Sequence, residues 1–302
     1  MVLTMNDVIK RYRGRAALDH LSFTVGKGEA IGLLGPNGAG KTTAIRVLTG
    51  LTSAEAGEVK IFGKTMRGQA SGIKKRIGVV PQDIALYETL SARDNLEYFG
   101  KLYGIRGAEL KKRVDGVLEI LGLTDVAKKA PKKFSGGMKR RLNIGCAIIH
   151  EPELLILDEP TVGIDPQSRN HILDFVSEVN GRGMTVLYTS HYMEEVERLC
   201  SRVCIMDAGR VIADGSVEEL TKSVIFEETV AFEVKEPAPS LAEKIKKIQG
   251  VAHCTAEGRR LSVTSAAGSQ NLARVLEVAA PYVILGVEAK RATLEDAFLA
   301  LT

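Results

Sequence analysis

At 302 residues, 45% hydrophobic and 26% charged, the chain has the make-up of a globular protein large enough for two domains. A net charge of +4 with 5% aromatic residues is too mild a cationic balance, with too few stacking rings, for a nucleic-acid partner. Cys146, Cys200, Cys204 and Cys254 form no C-x-x-C pair, which points to a reducing cytosol, and no apolar run approaches the ~18 residues of a membrane span, so any membrane role has to come through a partner.

The opening MVLTMNDVIKRYRG lacks a secretory apolar core. It contains Tyr12, whose ring is open between packing and stacking on adenine. AIGLL, from Ala30 to Leu34, reads as a buried strand, and GPNGAGKTT follows it and opens the helix TTAIRVLTG. This is the G-x-x-x-x-G-K-[ST] phosphate loop in its required strand-to-helix context. Its residues Gly35, Pro36, Asn37, Gly38, Ala39, Gly40, Lys41, Thr42 and Thr43 are the expected phosphate contacts. The glycines let backbone N–H groups curl around phosphates, Lys41 reaches the β- and γ-phosphates, and Thr42 ligates Mg²⁺. The glycine spacing is not that of a dinucleotide fold.

RIGVV, Arg76 to Val80, is a second strand, and Gln82 beyond it can meet Mg²⁺, the attacking water, or neither. From Gln82 to about Lys133 the strand signal stops. LSARDNLEYFGKLYG and ELKKRVDGVLEILGL read there as amphipathic helices of an inserted subdomain. KKFSGGMKRR then starts a helix just after its glycine pair, where the partial positive charge of a helix N-terminus meets Lys139, Arg140 and Arg141. Either an anion belongs there or the segment is a solvated cationic face.

LLIL, Leu154 to Leu157, is a third buried strand, and Asp158 and Glu159 emerge at its C-terminal end, where open α/β sheets place ligands. Burying two carboxylates is costly without a cation. With a phosphate loop in the same chain, Asp158 is read as holding Mg²⁺ and Glu159 as polarising the attacking water. MTVLYTS, Met184 to Ser190, places His191 at another strand end, where it bonds the γ-phosphate, the water, or a local partner. RVCIM, Arg202 to Met206, completes a set of buried strands alternating with helices, the pattern of an α/β domain. After about Ser223 the texture becomes β-α-β-β-α-β, predicting a small ferredoxin-like α+β sandwich. The closing TLEDAFLALT carries a capping pair, Thr293 with Asp296, and sets Leu294, Phe298 and Leu301 on one helical face, so that helix should dock.

Taken in order, GPNGAGKTT, VVPQD, FSGGMKRR, LLILDEP, TVGID and TSH resemble the nucleotide-binding domain of an ABC transporter over roughly residues 2 to 220. The resemblance implies a P-loop NTPase fold with ATP and Mg²⁺ as its ligands. It implies an ATPase domain over 1–223, with a helical subdomain at about 83–150, and an accessory domain over 224–302. SGGM is similar to the ABC signature, so Ser135, Gly136 and Gly137 would contact ATP held by a partner subunit, and Asp165 would lie in the loop that crosses the dimer interface. The basic cluster would then face that interface. Tyr12 is implied for adenine stacking, Gln82 as the link from the γ-phosphate to the membrane subunit, Glu159 as general base and His191 as γ-phosphate switch. The implied Mg²⁺ set is Thr42, Gln82 and Asp158.

Phe134 and Met138 depart from the leucine and glutamine of many members, and TVGIDP departs from the common S-A-L-D form. Those variants, with ALYETLSARDNLEYFGKLYGI and ATLEDAFLALT, resemble ATPase subunits of daunorubicin-resistance-type exporters. The implied protein is a cytoplasmic homodimer or ABC heterodimer, peripheral on the membrane through a separate permease, with no nucleic-acid partner. A soluble ABC ATPase of translation or DNA repair, and an importer ATPase with a C-terminal regulatory domain, are the alternative readings.

Overall fold

Two strands that the sequence patterning does not single out come first: β1 (Leu3–Tyr12) and β2 (Arg15–Val25), paired antiparallel. Register shifts between Met5 and Val8, Val8 and Lys10, and Lys10 and Arg11 interrupt the alternation by which a half-buried strand is read. The computed structural model describes residues 1–66, 70–223, 228–236, 239–266, 269, 271–290 and 293–302.

From β2 the chain enters β3 (Ala30–Leu34), passes the phosphate loop into α1 (Lys41–Leu48), and returns beside β1 as β4 (Ala56–Ile61), followed by the short β5 (Lys64–Thr65). After α2 (Ala70–Lys74) and β6 (Ile77–Val80) come three longer helices, α3 (Ala92–Leu102), α4 (Gly107–Ile120) and α5 (Gly136–Ile148). Ser91 caps α3 in a reciprocal box with Asp94, which fixes where that helix begins. The chain then alternates through β7 (Leu154–Asp158), α6 (Pro166–Gly181), β8 (Thr185–Thr189), α7 (Met193–Leu199), β9 (Arg202–Asp207), β10 (Arg210–Gly215) and α8 (Val217–Ser223).

These strands make a four-stranded sheet, β2-β1-β4-β5, and a six-stranded one, β10-β9-β3-β8-β7-β6. In the second sheet β9, β3, β8, β7 and β6 run parallel, and β10 is an antiparallel edge. Every residue of β3, β7 and β8 is buried. Burial on both faces is why these strands appear in the sequence as unbroken apolar runs. Between the sheets and α1 lies the core that includes Met5, Leu21, Leu33, Leu48, Ile156 and Leu187. Truncating one such leucine to alanine costs about 2–5 kcal/mol in a typical core.

The contacts divide the chain into Met1–Val217 with Leu301–Thr302, and Glu218–Ala300. The second unit runs β11 (Glu228–Val234), α9 (Pro239–Ile245), β12 (Val251–Glu257), β13 (Arg260–Ser265), α10 (Leu272–Ala279), β14 (Ile284–Lys290) and α11 (Leu294–Leu301). Its antiparallel sheet has the order β12-β13-β11-β14. Phe232, Leu241, Ile245, Leu261, Val263 and Val275 belong to its own core. The capping pair at α11 forms: Thr293 Oγ1 accepts the Asp296 N–H at 3.2 Å and Asp296 Oδ2 accepts the Thr293 N–H at 2.9 Å. Leu294 is fully buried there, while Leu301 stays partly exposed. No helix among the described residues is long and apolar enough to cross a membrane.

Because each unit holds its own apolar cluster, a chain ended at Ser223 is expected to stay soluble and unfold in one cooperative thermal transition by far-ultraviolet circular dichroism. Insolubility or a broad, non-cooperative loss of signal would show that the first unit depends on the second.

Candidate active site

The C-terminal ends of β3, β6, β7 and β8 deliver the phosphate loop, Gln82, the Asp158–Glu159 pair and His191 to one edge of the parallel sheet. The loop conformation depends on Gly40. Its φ is +104°, and a Cβ there would stand 2.4 Å from the Ala17 carbonyl oxygen; a larger residue is excluded twice over. Lys41 is 6% exposed, and its Nζ donates to the carbonyl oxygens of Gly35 at 2.6 Å and Pro36 at 3.2 Å. Burial lowers the Lys41 pKa, opposed by the negative charges of Glu159 and Asp158.

Asp158, 4% exposed, closes β7 opposite Thr189 of β8. Thr189 Oγ1 donates to Asp158 Oδ1 at 2.8 Å and accepts the Glu159 N–H at 2.9 Å, and the Thr189 carbonyl accepts that same N–H at 3.2 Å. These bonds hold Glu159 at a φ of +46°, a left-handed conformation costing about 1–2 kcal/mol for a non-glycine residue. The turn aims its carboxylate away from β7: Gln82 Nε2 donates to Glu159 Oε2 at 3.1 Å, and His191 Nδ1 lies 3.7 Å from the same oxygen. A recess of about 220 Å³ lies against this group, lined by Asn37 to Thr43, Gln82, Glu159 and Ala17. A larger groove, about 620 Å³, lies at the opposite strand ends, near Pro152 and Thr185, and includes none of the candidate side chains.

The remaining predicted residues lie outside that recess. Tyr12 is exposed at the end of β1, with Lys10 Nζ 5.3 Å from its ring centre. Ser135 is the N-cap of α5, its Oγ accepting the Met138 N–H at 3.2 Å, and Phe134 before it is buried. Asp165 is the N-cap of α6, its Oδ1 accepting the Ser168 N–H at 2.8 Å. The helix starts touch. A Cβ on Gly137 would stand 2.0 Å from Ser168 Oγ, so only glycine lets these backbones approach, and exposed Gly136 faces Gly163 across a looser gap.

The basic cluster is already engaged within its own chain, and Arg140, 5% exposed, is turned inward. Lys139 pairs with Glu88 at 2.7 Å, Arg141 Nη1 donates to the Leu121 carbonyl at 2.6 Å, and buried Arg140 donates to the Pro81 and Gln82 carbonyls at 3.0 and 2.8 Å. Successive helical residues point about 100° apart, so the three cations diverge to separate partners within the chain. One of those partners is the backbone of Gln82 itself, and Asn143, one turn on, accepts the Ala85 N–H at 3.2 Å. Spacing alone does not reveal Thr189, Arg140 or Asn143 as site residues, because each acts through backbone groups of a distant segment.

The donor set suits a divalent cation. Burial raises the Asp158 pKa against the hydroxyls of Thr189 and Thr42, and the neighbouring charge of Glu159 raises it further. A second positive charge beside Lys41 is what this carboxylate environment accommodates. Oxygen ligands are at hand in Thr42, Asp158 and the Gln82 amide oxygen, which is left free by the bond its nitrogen makes to Glu159.

A glycine loop opening a helix, an internal lysine and paired carboxylates at the end of β7 define a phosphate-loop nucleoside triphosphatase. Residues 18–162 match the ABC transporter family. The linearmycin-resistance ATP-binding protein of Bacillus subtilis (strain 168) is 44% identical across all of this chain and 98% of its own. A daunorubicin-resistance ATP-binding protein of Streptomyces coeruleorubidus is 44% identical over 72% of this chain and 69% of its own. Among solved structures, the ATP-binding subunit of an ABC transporter superposes with a TM-score of 0.69 at 30% identity, over 74% of this chain and 93% of that one. A dimeric ATP-binding cassette in a post-hydrolysis state with ADP and Pi superposes at 0.65 and 25% identity, over 71% of this chain and 98% of that one. The chain belongs to the ABC transporter family and is an ATP-binding subunit with an ATPase domain.

A carboxyl whose pKa is raised by folding adds stability only while protonated; that stability is present below the ordinary value of 3.8 and is lost as pH rises through the raised one. Asp158→Asn is therefore expected to raise the thermal midpoint of the nucleotide-free protein at pH 7, with the gain shrinking as pH falls toward 3.8. A lower or unchanged midpoint at pH 7 would contradict the electrostatic account of this site.

Proposed function

We propose that this chain is the ATP-hydrolysing subunit of an exporter, working as a homodimer or ABC heterodimer around two Mg·ATP on the cytoplasmic face of a separate membrane permease. The observation that carries the hydrolytic part is the convergence of Gln82 and His191 on one carboxylate oxygen of Glu159, above a recess lined by the phosphate loop. In this reading the loop from Gly35 to Thr43 binds the phosphates, with Lys41 offsetting their charge and Tyr12 stacking on adenine. Thr42, Asp158 and Gln82 hold Mg²⁺, which when bound supplies further positive charge against the β- and γ-phosphates. Glu159 Oε2 accepts the proton of the attacking water and orients it in line with the γ-phosphate. His191 holds the γ-phosphate from the other side.

Export is supported by the relatives, which are named for resistance to linearmycin and daunorubicin. Dimerisation is supported by the exposed N-termini of α5 and α6. Ser135, Gly136, Gly137 and Asp165 lie outside their own chain's recess, and all but Gly137, which is buried against Ser168, are exposed toward another copy. Residues 224–302 are read as an accessory domain that strengthens the dimer.

Glu159→Gln is expected to leave ATP binding intact and to cut hydrolysis by about 10²–10⁴-fold, the range for a lost acid–base group. Steady-state turnover within a few fold of the parent, with contaminating ATPase excluded, rejects Glu159 as the base. The shared site is tested by mixing Lys41→Ala subunits with Ser135→Arg subunits. If the signature serves the partner's ATP, one site of the mixed dimer carries both lesions and the other is whole, so vanadate traps nucleotide in it. If Ser135 serves its own phosphate loop, both sites are damaged and neither traps.

A further inference from the structure

Beneath the hydrolytic group lies a buried carboxylate that the proposed mechanism does not use. Glu195, in the first turn of α7, is 2% exposed. Its Oε2 accepts three hydroxyls: Thr161 at 2.8 Å, Ser190 at 2.8 Å and Tyr188 at 2.9 Å. Thr161 lies two residues past Glu159, Ser190 precedes His191, and Tyr188 is in the strand that ends there. One carboxylate oxygen therefore ties the segment carrying the proposed base to the segment carrying the proposed switch. Three hydroxyl donors on one buried oxygen make the attachment costly to break.

The other oxygen is differently placed. Glu195 Oε1 has no hydrogen-bond partner, and neither does the buried Nε of Arg169, although the two stand 3.4 Å apart. A cation and an anion thus face each other inside the fold just short of a formed hydrogen bond. Leaving both unsatisfied disfavours the present arrangement relative to one in which the gap closes. Arg169 belongs to the start of α6: its N–H bonds the Asp165 carbonyl at 2.9 Å, and Ser168 beside it packs against Gly137 of the signature. The guanidinium carbon also lies 4.4 Å from the ring centre of Tyr192, whose ring is 4.4 Å from that of His191. Each step from Asp165 through Arg169 and Tyr192 to His191, and from His191 to Glu159, is a direct contact.

We propose that Arg169 and Glu195 are positioning residues that close into a hydrogen-bonded pair when the start of α6 is pressed at the subunit interface, and so set His191 against Glu159 for hydrolysis. The inference rests on the assignment of Glu159 and His191 as the hydrolytic pair. A small shift of α6 that turns the Arg169 Nε–H onto Glu195 Oε1 is enough, because the two atoms already stand 3.4 Å apart. The device makes hydrolysis wait for a partner without either residue touching nucleotide. It also explains why a charged pair is kept where an apolar pair would pack with less desolvation cost.

Arg169 is 28% exposed along its side chain, so Arg169→Met is a tolerable substitution that keeps the stem and removes the cation. In the full-length protein, ATP affinity and ATP-driven dimer formation (the latter in a Glu159→Gln background) are expected to stay within about twofold of the parent. Single-turnover hydrolysis is expected to fall about tenfold, the scale of coupling through a packed network. A purely structural role would lower all three together. In a His191→Ala background the same substitution is expected to add less than about twofold, because residues acting through one another are not additive. Arg169→Gln gives the same reading should the methionine variant fail to fold. If Glu159→Gln leaves hydrolysis unchanged, the assignment of the hydrolytic pair is wrong. If Glu159→Gln slows it but the Arg169 and His191 losses multiply, or Arg169→Met has no effect on the rate, the positioning role alone is overturned.

Discussion

The site depends on a pair of opposite charges held where each is disfavoured. Lys41 opens α1 beyond the end of β3 and Asp158 ends β7, two strands separated in the sheet by β8, and both side chains are nearly inaccessible to water. Burial pushes the lysine down and the aspartate up, each toward its neutral form, and their mutual attraction only partly offsets this. Such a pair contributes little to stability by itself. Its environment is one in which a ligand bearing both strong negative charge and a divalent cation lowers the free energy of each side at once. Phosphate oxygens near the lysine and Mg²⁺ near the aspartate meet that description.

The surrounding architecture follows from keeping those charges in register. Continuous burial of β3, β7 and β8 makes the central sheet rigid, and Thr189 uses a single hydroxyl to hold both Asp158 and the strained backbone of Glu159. The helical segment reports to the same edge through backbone bonds: Arg140 and Asn143 of α5 hold the chain at Pro81, Gln82 and Ala85. The signature helix and the glutamine are thereby fastened together. Gly137, packed on Ser168, fastens the signature to the start of α6. In the proposed dimer, the elements assigned to a partner subunit are in this way joined to the elements assigned to the γ-phosphate.

Much of this is legible in the amino-acid sequence, for physical reasons that differ by segment. The central strands show as apolar runs because no face of them meets water. The phosphate loop shows because Gly40 has no substitute at its φ and clearance. Asp158 and Glu159 show because the same chain carries a phosphate loop, which gives paired carboxylates after an apolar run a cation to hold. β1 and β2 do not show, since bulges break their alternation. Arg140 is misread as one of three interface cations because charge runs do not announce which members turn inward. Glu195 looks like an ordinary acid at a helix start, and only the three-dimensional meeting of Thr161, Tyr188 and Ser190 gives it another meaning.

The account stands most directly on the claim that Asp158 and Lys41 form a site for a nucleotide phosphate and a divalent cation together. The decisive measurement is the increment in thermal midpoint produced by ATP with Mg²⁺ over ATP with a chelator, in the parent protein and in Asp158→Asn. Ligand at about 100 times its dissociation constant stabilises the folded state by about 2.7 kcal/mol, so the increment is readily resolved. A Mg²⁺-dependent increment is expected in the parent and is lost in Asp158→Asn, while the metal-independent part depends on Lys41 and is lost in Lys41→Ala. An increment of equal size in Asp158→Asn would contradict that claim.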